Sequence, residues 1–218
     1  MAQAMDHFVW GVPDFDQGCA EIESLFGVAP EPGGSHPAHG TCNALLSLGT
    51  GLYLEIMAPD KPQPGSTGAR LAELDAPGLV TWVLRRNDLS ALSESVARQT
   101  LGVTALGPIE TERLTLEGDR LVWELLFLVA HEFGGLVPFF IDWRETTHPA
   151  ITSLNAGTFK SLELQSPRAA QLNALLTGVG ADVLAGEAQQ DQLTARFEGK
   201  SGEVVLRSTP ESLTIITG

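Results

Sequence analysis

Three times along the chain a strand-like run leads into an amphipathic helix, a Gly-Val or Gly-Ala stop and further strands. The first copy runs from Asp6-His7-Phe8-Val9-Trp10-Gly11-Val12 to Leu25-Phe26-Gly27-Val28. The second runs from Gly78-Leu79-Val80-Thr81-Trp82-Val83-Leu84 to Leu101-Gly102-Val103, and the third from Phe159-Lys160-Ser161-Leu162-Glu163-Leu164-Gln165 to Val179-Gly180-Ala181. Apolar residues recur at helical spacing in each helix: Phe15, Cys19, Ile22 and Phe26; Leu89, Leu92 and Val96; Ala169, Leu172 and Leu175. Asp14, Asp88 and Ser166 stand where N-terminal caps are expected. The period is too long and too mixed for a solenoid, which leaves a small set of pseudo-symmetric modules whose helices cover one face of a sheet.

After the first helix come strand-like Cys42–Gly49 and Leu52–Ala58, the latter alternating so that Tyr53, Glu55 and Met57 share one face and Leu54 and Ile56 the other. After the second come Ile109–Leu116, a turn at Glu117-Gly118-Asp119, a long strand Leu121–Val129, and Val137–Trp143. The fold class expected is α+β, with paired βαβββ modules forming a curved, barrel-like mixed sheet. The first domain would span residues 1–148, with modules at about 5–58 and 78–143. Residues 149–218 would hold a partial βαββ module added at the edge of that sheet and packed on it.

With 43% hydrophobic residues in 218, the chain can bury a substantial core, and it has no apolar run long enough for a membrane span and no signal-peptide pattern. A cytoplasmic location is expected. The net charge of −14 argues against nucleic acid and anionic membranes as partners. Cys19 and Cys42 read as buried free thiols. Phosphate loops, dinucleotide fingerprints, nucleophile elbows and Cys-x-x-Cys pairs are all missing, so nucleotide-driven chemistry and serine hydrolysis have no support.

On the first strand His7 shares a face with Val9 and Gly11, away from Phe8 and Trp10. Glu55 lies mid-strand in an apolar setting, where a carboxylate must be paired, hydrogen-bonded or metal-bound. Two explanations stay open. His7 and Glu55 either share a divalent ion, for which Zn, Fe, Ni and Mn suit the donors, or form a buried hydrogen bond at a wet cavity. Farther on, His36 and His39 flank Pro37 in a glycine-rich loop ahead of a strand whose Thr41, Asn43 and Leu45 share a face. These histidines would serve as a third ligand or as general acid-base, or else cap a turn.

Several of these residues carry a family resemblance. Asp6-His7 opening the first strand, Tyr53-Leu54-Glu55 closing the first module, the segment Gly33-Gly34-Ser35-His36-Pro37-Ala38-His39-Gly40-Thr41 with Asn43, and Pro138-Phe139-Phe140-Ile141-Asp142-Trp143 resemble the glyoxalase-like group of the vicinal oxygen chelate superfamily. The likeness covers about Met5 to Trp143. It implies half-barrels around a divalent metal that chelates neighbouring substrate oxygens, with lyase, isomerase or dioxygenase chemistry, or a metal-free protein that sequesters a ligand. It also implies ligands at His7 and Glu55. Matching positions in the second module fall at Thr81 and at Phe140 or Asp142, of which only Asp142 has ligand chemistry.

The metal set expected is therefore His7, Glu55 and Asp142, with His39 and His36 as catalytic candidates. Thr41, Asn43, Tyr53, Thr81, Phe140, Trp143 and His148 are the expected substrate contacts, His148 over the cavity mouth. Arg85 and Arg86 would bind a substrate carboxylate or offset local negative charge. His131-Glu132 reads as a solvated turn. A small molecule is the expected partner, and an open sheet edge suggests a homodimer.

Overall fold

A computed structural model describes residues 4–114 and 120–216. The turn expected at Glu117-Gly118-Asp119 lies outside the described residues. The first module comprises β1 (Ala4–Gly11), α1 (Phe15–Phe26), β2 (Glu31–His36), β3 (Thr41–Ser47) and β4 (Tyr53–Pro59), and a short helix α2 (Thr67–Ala72) follows. The second comprises β5 (Gly78–Arg85), α3 (Leu89–Arg98), β6 (Thr104–Leu114), β7 (Arg120–Val129) and β8 (Phe139–Asp142), with a 3-10 turn at Gly134–Leu136 before β8. After α4 (Pro149–Thr152) come β9 (Gly157–Ser166), α5 (Ala169–Gly178), β10 (Ala185–Glu187), β11 (Gln192–Gly199) and β12 (Gly202–Arg207). No described helix is long and apolar enough to cross a membrane.

The first two modules form one curled sheet of eight strands in the order β2-β3-β4-β1-β5-β8-β7-β6. At its centre β1 and β5 run antiparallel, with Val9 opposite Thr81 and His7 opposite Val83. Each of them is parallel to the last strand of its own module, β4 and β8. Two equivalent halves thus meet across a pseudo-twofold axis, as the repeated element order requires. The mixed α+β class and the paired βαβββ modules expected from the sequence are what the chain adopts.

Local chemistry starts the helices where expected in two cases out of three. Asp14 accepts a hydrogen bond from Gln17 N at 2.9 Å, and Asp88 from Ala91 N at 3.0 Å, each satisfying an amide at a helix start. Ser166 is not the cap of α5. Arg168 occupies that position without a side-chain cap bond, and Ser166 Oγ, two residues earlier, accepts from Arg168 N.

Period-two alternation divides the sheet into two apolar faces. Phe8, Trp10, Leu54, Ile56, Trp82 and Phe140 pack on the outer face with Ile22, Phe26, Leu92 and Val96 from the helices. Val9, Tyr53, Met57, Trp123, Phe139 and Trp143 face the concave side. Each fully buried large side chain of this kind contributes roughly 2 kcal/mol.

The C-terminal module does not extend the edge of this sheet. It forms its own sheet, in the order β10-β9-β11-β12, and contains one strand more than the βαββ pattern read from the sequence. Its element order matches the other modules but its wiring does not, because β9 pairs with β10 in parallel and with β11 antiparallel. The apolar outer face accounts for the placement. Phe8 needs cover that α1 and α3 do not complete, and the rings of Phe159 and Phe197 supply it at centroid distances of 5.4 and 5.5 Å.

Candidate active site

The concave face encloses a cavity of about 660 Å³, lined by His7, Glu55, Asn43, Tyr53, Thr81 and Thr41 among others, with Trp123, Trp143, Phe127 and Phe139 as apolar wall. That volume suits a small organic molecule. At its floor lies the imidazole-carboxylate pair. His7 Nε2 is 3.6 Å from Glu55 Oε2, and Asn43 Nδ2 donates to Glu55 Oε1 at 2.7 Å. The ring of His7 stacks on Tyr53 at 4.5 Å and meets the edge of Phe139 at 5.7 Å.

Behind His7 stands a residue that strand alternation hides. Asp6 would share the outer face with Phe8, but the β1–β5 register slips between Met5 and His7, making Asp6 the extra residue of a bulge. It is 0% exposed and accepts hydrogen bonds from His7 Nδ1 at 2.8 Å, His148 Nε2 at 3.0 Å and Trp143 Nε1 at 3.1 Å. Arg85 Nε lies 3.3 Å away. Burial alone would raise the Asp6 carboxyl, yet hydrogen bonds from His148 and His7 outweigh it and hold the group well below the usual carboxylate range.

An ionised Asp6 only accepts, so His7 carries a hydrogen on Nδ1, and its Nε2 is turned toward Glu55 and the cavity. His148 Nδ1 accepts from Ala150 N, which fixes its hydrogen on Nε2, toward Asp6. Arg85 also donates to Gly51 O at 2.8 Å, so it offsets Asp6 and ties a turn.

The expected site residues divide. His7, Glu55, Asn43, Tyr53, Thr41, Thr81 and Trp143 line one cavity. Phe140 does not, because its side chain is buried on the helix side with Trp82. Asp142 points away as well. It alternates with the cavity-lining Ile141 and Trp143, and its carboxylate accepts from the amides of Asp88 and Arg144. His148 lies behind Asp6 rather than over the mouth, with its ring edge on Tyr53 and Trp143.

His36 and His39 line the cavity at its other end. His36 pairs with Thr41, which pairs with Pro59. Four strand residues at about 3.3 Å each put that end roughly 13 Å from Glu55. They stand at the rim, where His39 is exposed.

His131 also lines the cavity, yet both ring nitrogens are engaged, Nδ1 by Phe133 N and Nε2 by Leu128 O, and burial pushes its pKa down. Glu132 pairs with Arg168 at 2.8 Å. Burial pushes both free thiols up, Cys19 to about 11, so neither is a nucleophile near neutral pH.

Register identifies the second-module counterpart of Glu55. Val9 pairs with Glu55 in β4, and its equivalent Val83 pairs with Phe139 in β8. The counterpart is Phe139, neither Phe140 nor Asp142. The counterpart of His7 is Thr81, whose hydroxyl points to the carbonyls of Trp82 and Val137. Two of four symmetric positions thus bear metal-ligand chemistry, and among the described residues no group of three or more His, Cys, Asp or Glu can hold a metal ion. The donor set does not fit a resident metal cage.

A paired-module half-barrel with a His on the first strand and a Glu on the fourth agrees with the family match, which covers residues 5–180 under the description "Glyoxalase-like domain". The chain belongs to the glyoxalase-like domain family. Solved structures share the fold. A hypothetical protein from Staphylococcus aureus is 17% identical with a TM-score of 0.66, covering 93% of this chain and 84% of that one. A hypothetical protein from Bacillus halodurans is 15% identical with a TM-score of 0.52, covering 67% and 99%. Methylmalonyl-CoA epimerase from Mycobacterium tuberculosis is 21% identical with a TM-score of 0.48, covering 64% and 87%, a likeness too distant to carry an argument. No curated protein matches the chain at a significant level. At these identities the likeness to the first two shows a shared fold alone.

Proposed function

We propose that the chain is a small-molecule enzyme of the glyoxalase-like family in which His7 and Glu55 move a proton on a substrate bound in the cavity. One observation carries this: two groups that can exchange a proton, His7 Nε2 and Glu55 Oε2, face the cavity 3.6 Å apart, with His7 Nδ1 held by Asp6. Asp6 stabilises the imidazolium that forms when Nε2 takes a proton, and Asn43 orients the carboxylate. Tyr53 and Phe139 flank the ring and keep it in place.

Among the described residues, the divalent cation implied by the family resemblance would find His7 and Glu55 as ligands at the paired-module positions, and proton transfer between these groups and a substrate needs none. The test is exchange of substrate hydrogen for deuterium in a panel of hydroxy- and amino-carbonyl compounds, followed by NMR with chelator-treated protein. Exchange lost in His7→Asn and Glu55→Gln supports the proposal. Exchange that requires added Zn, Fe, Ni or Mn assigns the work to a cation on these two residues.

Sequestration without reaction is the second reading, favoured by Thr81 and Phe139 standing where ligands would otherwise be. A compound that binds without exchange would select it. A homodimer accompanies either reading, supported by exposed Leu106 and Ile109 on β6 and checked by sedimentation.

A further inference from the structure

The polar groups around the His7–Glu55 pair are unbalanced. Asn43 Nδ2 is engaged by Glu55, Trp143 Nε1 by Asp6, and the Thr81 hydroxyl by main-chain carbonyls. Facing the cavity are His7 Nε2 and, 3.6 Å from it, the acceptor Glu55 Oε2. Asn43 Oδ1, buried behind them, finds no hydrogen-bond partner.

The charge of the cavity has the same sign. Among the described residues no Lys or Arg lines it, and Glu55 is its one carboxylate. A ligand carrying a carboxylate, a phosphate or another anion would meet no Lys or Arg among the described lining residues. It would also approach a protein of net charge −14, whose field favours positive ligands.

The walls complete the pattern. Trp123 and Trp143 pack at 5.5 Å between ring centroids and Phe127 and Phe139 at 5.0 Å, in the cavity that holds Glu55. Because the Trp143 N–H is bound to Asp6, that side chain offers a ligand its ring. Aromatic rings attract cations as well as apolar groups, and a desolvated carboxylate beside them strengthens the preference.

We infer that the cavity recognises an organic cation, a protonated amine with an apolar or aromatic body. Its N–H groups meet Glu55 Oε2 beside His7, and its body lies against Trp123, Trp143, Phe127 and Phe139. The inference rests on the proposed use of the cavity as a small-molecule site and names the class of molecule it takes.

Three probes that share an indole ring and differ in head-group charge test it by titration calorimetry at neutral pH and low salt: tryptamine, tryptophol and indole-3-acetate. The expected order is tryptamine tightest and indole-3-acetate weakest. Tryptamine should hold an advantage of about tenfold or more over the alcohol in the wild-type protein, shrinking to about twofold in Glu55→Gln. Equal or tighter binding of the alcohol or the acid overturns the cation preference while leaving the small-molecule site intact. An advantage that persists in Glu55→Gln overturns the role of the carboxylate. Binding of none of the three removes both the small-molecule site and the preference.

Discussion

Replacing Asp6 by Asn keeps the shape of the side chain and removes the charge on which His7, His148 and Arg85 converge. Breaking a buried ionic cluster by neutralising one member costs about 3 kcal/mol, and that is the loss expected for Asp6→Asn in urea unfolding at neutral pH. The pH dependence has a definite sign. Hydrogen bonds from His148 and His7 overcome the effect of burial and depress the folded-state pKa of Asp6. Its contribution is therefore complete above the ordinary carboxylate value of about 4 and is lost as pH falls from there toward the depressed value. Unfolding curves collected at steps below about pH 5 should show the wild type losing its advantage over Asp6→Asn. A constant difference down to the most acid condition would contradict this. His7 and Glu55 were legible in the sequence because period two puts them on the concave face, whereas Asp6 was not. A bulge belongs to the pairing of β1 with β5, and nothing local to Met5-Asp6-His7 announces it. The assignment of Phe140 failed by one position for a related reason. Matching the two modules position by position cannot see where the 3-10 turn at Gly134–Leu136 sets β8 against β5.

Helix α3 shows how an acid suited to a metal on paper serves the end of an element instead. Asp88, in the left-handed region at φ 62°, caps the helix, and the Asp142 carboxylate accepts from the Asp88 amide at 3.2 Å. Asp142→Ala is expected to lower stability by about 1 kcal/mol, the usual effect of losing a contact at a helix start, and to leave tryptamine affinity unchanged. A calorimetric loss of affinity would return Asp142 to the site. A tighter contact lies where the 3-10 turn crosses β5. A Cβ on Gly135 would stand 1.7 Å from Val80 O, a backbone atom with no rotamer to yield. Gly135→Ala should cost about 3 kcal/mol or more and lower the thermal midpoint sharply. The apolar stripe Leu89, Leu92 and Val96 read from spacing is buried as a unit. The cap at Ser166 was misread because a serine accepts from a nearby amide in several turn geometries, and the sequence does not distinguish them.

Two sheets with separate hydrogen-bond ladders share one core, and this sets how the protein should unfold. Phe197 of β11 is fully buried, with its ring 5.5 Å from Phe8 of β1, 5.7 Å from Phe26 of α1 and 6.1 Å from Phe159 of β9. The chain then returns to the first sheet, where Ser212 Oγ donates to Leu79 O at 2.7 Å, Arg70 Nε donates to Ile215 O at 2.9 Å, and Ile216 lines the cavity. Removing residues 149–218, the C-terminal unit proposed from the sequence, would uncover Phe8 and Phe26 and take away part of the cavity wall. The isolated residues 1–148 should therefore be less soluble and bind probes more weakly than the full chain. Truncating one ring tests the same coupling without deleting a module. Phe197→Ala leaves a cavity where both sheets meet and should cost about 4 kcal/mol. Because the lost contacts belong to both sheets, tryptophan fluorescence, which reports on the first sheet through Trp10, Trp82, Trp123 and Trp143, should shift to lower denaturant together with far-ultraviolet circular dichroism. If the fluorescence transition stayed at its wild-type midpoint while the dichroism split into two steps, the sheets would be independent folding units, and the aromatic contact between Phe8 and Phe197 would contribute little to either.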